Sequence, residues 1–98
     1  MIPNVEIDNL TDEVGSEVKR AMGLFPPIHN MHEGLGVIEE EWEEFRKEVF
    51  LFNLAKGRDT RLAARKELVQ LAAMCIRTIV DCEINYIKEN ENVVPTAS

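Results

Sequence analysis

Apolar side chains recur along most of this chain at the three- and four-residue intervals of α-helices, which predicts an all-α protein of three main helices. Leu10, Val14, Val18 and Met22 mark the first helix at four-residue spacing. Asn9 or Thr11 is expected to cap it, residues 1–8 to be extended or loose, and Gly23 to stop it near residue 22. Leu24-Phe25-Pro26-Pro27 then forms a corner, because proline lacks the backbone donor and restricts the residue before it.

The second helix has the strongest period. Asn30 with Glu33 three residues later resembles a capping box and starts the helix near Met31. Met31, Leu35, Ile38, Trp42, Phe45, Val49 and Phe52 then alternate four and three apart to about residue 54, a seam suited to antiparallel helix packing. Val37, Glu41, Glu44, Glu48 and Ala55 fall together on one flank of that seam, with Gly34 at its border. Small and apolar neighbours at both ends of an acidic patch predict a half-buried surface, where unpaired carboxylates are expensive.

Lys56-Gly57-Arg58 is expected to turn the chain, and Asp59 or Thr60 to cap a third helix carried to about residue 89, with room for a kink or break. From Leu68 to Ile76 nearly every side chain is apolar, the pattern of a helix surrounded by others. Glu67, Gln70, Arg77, Thr78, Asp81, Asn85 and Lys88 cross it as a polar stripe within roughly 60° of one line. Such a stripe is either a solvent face or a site. Residues 90–98, with Pro95, read as a disordered tail.

With 98 residues, 45% of them hydrophobic, residues 1–98 suit one domain, and two partner helices are too few to cover the third, so a helical bundle completed by a homo-oligomer, dimer or tetramer, is expected. The net charge of −7 argues against nucleic-acid and membrane-surface binding, since both need basic patches. An acidic protein that handles phosphates needs metal ions between itself and the ligand. No apolar run is long enough to span a bilayer and residues 1–6 lack the pattern of a signal peptide, so a cytoplasmic location is expected. Cys75 and Cys82 lie about 10 Å apart along one helix, too far to bridge, and are expected to be reduced core residues.

Two i, i+3 pairs carry the candidate chemistry. Glu41 and Glu44 face the same way on the second helix, and Glu67 and Gln70 do so on the third; a short turn between antiparallel helices lets the pairs face each other. Four oxygen ligands without His or Cys favour Mg²⁺, with Mn²⁺ as the alternative, and Mg²⁺ completes its shell with water and substrate phosphate. The contrary reading of the same residues is a solvated acidic face. His29 and His32 are spaced like ligands, but no second cluster accompanies them, and they read as helix-start surface groups.

At these residues the chain resembles the MazG-type nucleotide pyrophosphohydrolases of the all-α NTP pyrophosphatase superfamily, whose signature is ExxE, a gap, then ExxD. The matching stretches are residues 32–45, centred on Glu40-Glu41-Trp42-Glu43-Glu44, and residues 65–74, containing Glu67-Leu68-Val69-Gln70; the likeness runs from about Pro26 to Asp81. The resemblance implies an enzyme that hydrolyses a nucleoside triphosphate, as a nucleotide-pool house-cleaning activity, to the monophosphate and pyrophosphate, by water attack on the α-phosphorus. It places Glu41, Glu44 and Glu67 at metal-ligand positions and Glu40 beside them as a further ligand or water-orienting base. Gln70 stands where the signature has Asp, so a second metal is expected to bind more weakly. Arg77 and Lys88 are the candidate cations for a triphosphate, Asp81 shares their stripe, and Trp42 is either a base-stacking surface or a seam residue. The rival expectations are a non-catalytic helical interaction module and a weak nucleotide binder that has lost a ligand at Gln70.

Overall fold

The structure, a computed structural model, describes residues 3–54 and 60–84. Among them every element is helical: α1 (Pro3–Leu24), α2 (Met31–Leu54) and α3 (Arg61–Asp81). None of these helices is long and apolar enough to cross a membrane. The expected turn at residues 56–58, with Asp59, and the positions Asn85, Lys88 and 90–98 lie outside the described residues.

The helix starts follow local chemistry, with two departures. As expected, α2 opens at Met31, where the Asn30 side-chain oxygen accepts the Glu33 N–H at 2.8 Å. The returning arm of the capping box reaches one residue further back, to the His29 N–H at 3.0 Å. The first helix begins at Pro3 instead of near Thr11, because proline at a first helical position gives up only an N–H that lacks a partner anyway. Thr11 is an interior residue whose hydroxyl donates to the Ile7 carbonyl at 2.7 Å. Thr60 precedes α3 but spends its hydroxyl on the Glu48 carbonyl, 2.9 Å away, tying the start of α3 to α2.

The end of α3 comes earlier than the periodicity suggests. It stops at Asp81, and Glu83 takes a left-handed φ of 59° while the Cys82 and Glu83 N–H groups close onto Thr78 and Val80 carbonyls. No glycine or proline marks this stop, so the sequence carried no signal for it.

The third helix packs against both others, whereas α1 and α2 do not pack against each other among the described residues. Its core is small: Val18 and Ala21 of α1 meet Ala73 and Met74 of α3, with Val14, Val37 and Ile38 packed around them. The most completely buried of these are the alanines, which let α1 and α3 approach closely. Two expectations about faces are corrected. The α2 seam turns inward only in part: Ile38 and Phe45 are half-buried, whereas Met31, Leu35, Trp42 and Val49 are exposed. On α3, Leu68, Ile76, Ile79 and Val80 are exposed while Arg77 and Thr78 of the polar stripe are buried. The cysteines are free thiols, but Cys75 is exposed and Cys82 half-buried, so neither is a core residue.

Candidate functional site

The flank of α2 that meets α3 is the acidic one. Gly34, Val37, Ile38, Glu41, Phe45 and Glu48 recur at helical spacing and are buried or half-buried. Close approach begins at Gly34, where a Cβ would fall 2.5 Å from the Thr78 methyl. Thr78 is held there by its hydroxyl, which donates to the Met74 carbonyl at 2.8 Å.

Two turns along, this approach brings Glu41 to Glu67. The two carboxyls come close enough for the charge of Glu67 to act on Glu41. Burial pushes the Glu41 pKa up from its ordinary 4.5, and the charges of Glu67, Glu40 and Glu44 push it the same way. Glu44 itself is exposed, with Lys47 at 3.6 Å, and so lies at the solvent edge of this group. Glu40 is also exposed and lines, with Glu41, a cavity of about 470 Å³ between α2, α3 and the proline corner. Among the described residues, no three His, Cys, Asp or Glu side chains are grouped closely enough to hold a metal ion.

Glu48 continues the flank. Its carboxylate oxygen Oε1 is buried without a hydrogen-bond partner among the described residues, an arrangement that costs energy unless a cation or proton meets it. Sequence reasoning placed Glu48 on the flank but gave it no role. Its signal was the seven-residue spacing from Glu41, which returns to the same helix face.

The two residues of the second pair part company. Glu67 faces Glu41 of α2, whereas Gln70 lines the α1–α3 cleft beside Glu17. That cleft is the larger one, about 770 Å³. Its charges are largely consumed internally: Arg65 grips Glu13 through two bonds of 2.7 and 2.8 Å, and Arg20 grips Glu17 likewise at 2.6 and 2.9 Å. These pairs hold the Glu13 and Glu17 carboxyls below their usual range, chiefly through the arginine hydrogen bonds.

Of the candidate substrate contacts, Arg77 and Asp81 form a clamp inside the protein. Arg77 Nε lies 3.3 Å from Asp81 Oδ2, and that same oxygen accepts the Ile28 N–H at 2.9 Å. The Arg77 guanidinium also donates to the Pro26 and Phe25 carbonyls and sits 6.0 Å from the Phe25 ring centroid. Both side chains of the pair are more than nine-tenths buried. They hold the Phe25–Ile28 corner against α3, and Arg77 reaches the cavity only as part of its wall. Trp42 is exposed beside Phe45, with ring centroids 6.1 Å apart, and does not line the cavity. At the cavity rim His29 Nδ1 lies 3.3 Å from Glu33 Oε2, and Glu33 is held below its usual pKa, first by the His29 backbone N–H and then by this ring contact.

No protein-family model, curated protein or solved structure matches the chain.

Proposed function

We propose that this chain is a Mg²⁺-dependent nucleoside triphosphate pyrophosphohydrolase acting on the α–β phosphoanhydride bond. The observation that carries the proposal is the Glu41–Glu67 pair. Two carboxyls turned toward each other in a half-buried interface, with Glu40 and Glu44 adding negative charge, oppose folding unless something positive or a proton joins them. The resemblance of residues 32–45 and 65–74 to the ExxE and ExxD signature assigns the same residues to metal binding.

The donor set suits the ion in kind, though not yet in spacing. Carboxylate oxygens alone favour Mg²⁺ or Mn²⁺ over Zn²⁺, and Glu41, Glu44 and Glu67 would hold it only by drawing closer together than they stand. When bound, Mg²⁺ supplies charge neutralisation at the phosphates and lowers the pKa of a water. The rest falls to the chain. Glu40, exposed and lining the cavity with Glu41, would accept a proton from water. Arg77 and Asp81 brace the cavity wall instead of reaching for phosphate, and Gln70, turned to Glu17, takes no part in holding the ion.

The working unit is a homo-oligomer, dimer or tetramer. Its motive is the α2 seam of Met31, Leu35, Trp42 and Val49, exposed together with Leu68, Ile76, Ile79 and Val80 of α3. Apolar exposure on that scale marks an interface.

A turnover assay decides the activity. Canonical and modified nucleoside triphosphates are screened for pyrophosphate release with Mg²⁺, with Mn²⁺ and with chelator; metal-dependent monophosphate and pyrophosphate in equal amounts is expected. Binding of a non-hydrolysable analogue without any turnover favours a nucleotide-binding module, and no binding at all an interaction module.

A further inference from the structure

Beside the carboxylate pair lies a preformed cavity with a largely apolar lining. Phe25, Pro26, Pro27 and Ile28 line it together with Val37 of α2 and Met74 of α3. At about 470 Å³ it falls within the roughly 300–1,000 Å³ of small-molecule sites. Its composition is also theirs: largely apolar surface, with a few polar groups, among them the His29–Glu33 pair and Glu40 with Glu41.

The corner is not a loose loop. Prolines at 26 and 27 restrict its backbone, and the buried Arg77–Asp81 clamp binds its Phe25 and Pro26 carbonyls and its Ile28 N–H. Ile28 is buried as a plug beneath it. A wall fixed in this way spares a ligand the cost of ordering it. The Phe25 ring, by contrast, is half exposed and open to stacking.

We propose that this cavity receives the base of the nucleotide, stacked on Phe25 with its polar edge toward the His29–Glu33 pair, while the phosphates lie toward Glu40 and Glu41. The pair suits that task. Glu33 accepts from the His29 backbone N–H at 3.0 Å and lies 3.3 Å from the ring nitrogen, so an ionised acceptor and an imidazole are fixed side by side at the rim. A carboxylate has lone pairs left for the N–H groups of a base edge. The assignment rests on the proposed phosphohydrolase function, because only a cation held by the neighbouring carboxylates would draw the phosphates to one end of the cavity.

The test compares two ligands by calorimetry on the full chain with Mg²⁺: non-hydrolysable deoxynucleoside triphosphate analogues of the four bases, and inorganic tripolyphosphate, which has no base. The best analogue is expected to bind at least about tenfold more tightly than tripolyphosphate, since stacking on one aromatic ring is worth that much. Phe25→Ala and His29→Ala, both at exposed side chains, are each expected to remove most of this advantage and to leave tripolyphosphate affinity within about twofold. Equal affinity of the two ligands for the parent protein overturns the base site alone, as do variants that weaken both ligands alike or neither. If neither ligand shows Mg²⁺-dependent binding to the parent, the phosphohydrolase proposal falls, and the base site with it.

Discussion

Gly34 of α2 lies so close to Thr78 of α3 that a Cβ at position 34 would stand 2.5 Å from the Thr78 methyl and 2.9 Å from its hydroxyl. This contact sets the separation of the two helices, and Glu41 and Glu67 face each other along the same interface. Gly34→Ala is therefore expected to destabilise the protein by about 1–3 kcal/mol despite the better helix propensity of alanine, because the β-branched Thr78 cannot swing away while its hydroxyl bonds the Met74 carbonyl. Chemical denaturation measures the loss, and adding Thr78→Ala should recover much of it. A neutral or stabilising Gly34→Ala would contradict the contact.

Glu41→Gln should raise stability without metal, since it removes a half-buried charge that Glu67, Glu40 and Glu44 repel. It should also abolish the additional stability that Mg²⁺ confers, about 2.7 kcal/mol at 100 times the dissociation constant. Glu43 is the control: it is exposed, with only Arg46 at 3.9 Å, and Glu43→Gln should change stability by no more than about 0.5 kcal/mol and keep the Mg²⁺ response. Thermal melts of both variants with and without Mg²⁺ settle the matter. Identical behaviour removes the metal site.

The same residue predicts a pH dependence. A carboxyl whose folded pKa lies above its unfolded value stabilises the fold below the unfolded pKa, and that contribution is lost as pH rises through the folded pKa. Glu41 is such a group, raised from 4.5 by burial and by its acidic neighbours. The melting-temperature advantage of Glu41→Gln over the parent should be largest near pH 7 and shrink as pH falls to 4.5 and below. Glu17 works in the opposite direction, being held low by Arg20, so its contribution is present above its unfolded pKa and lost on acidification. Taking the difference between variant and parent cancels it.

Arg77→Met is expected to cost about 3–5 kcal/mol in denaturant unfolding, because it strands the buried Asp81 carboxylate and frees the carbonyls of the corner. Asp81→Asn should cost less, since an amide oxygen still accepts the Ile28 N–H at the 2.9 Å position. The double substitution should fall short of the sum. Were Arg77 an arm reaching for phosphate, its loss would weaken ligand binding and hardly touch stability.

Light scattering during size-exclusion chromatography should give the mass of a dimer or tetramer. Leu35→Glu with Trp42→Glu, both on the exposed seam of α2, should shift that mass down while far-ultraviolet dichroism remains helical. A parent protein that elutes as a monomer at micromolar concentration rules the assembly out.

Much of this protein was legible in the sequence because it depends on residues close together along the chain. The three helices, the Asn30 cap at the start of α2, the proline corner and the half-burial of Val37, Glu41 and Glu48 on one flank of α2 all follow from spacing and local hydrogen bonding. Periodicity states which side chains share a direction on their own helix. It does not state which neighbour lies there. Because α3 runs between α1 and α2, the turn of about 60° between residues three apart is enough to send Glu67 to α2 and Gln70 to α1, splitting a pair the sequence presents as one. The same ignorance of neighbours made Arg77 and Asp81 look like free polar groups on a stripe. Only the return of the Phe25–Ile28 corner onto α3, across more than fifty residues of chain, supplies the carbonyls and the N–H that bury them.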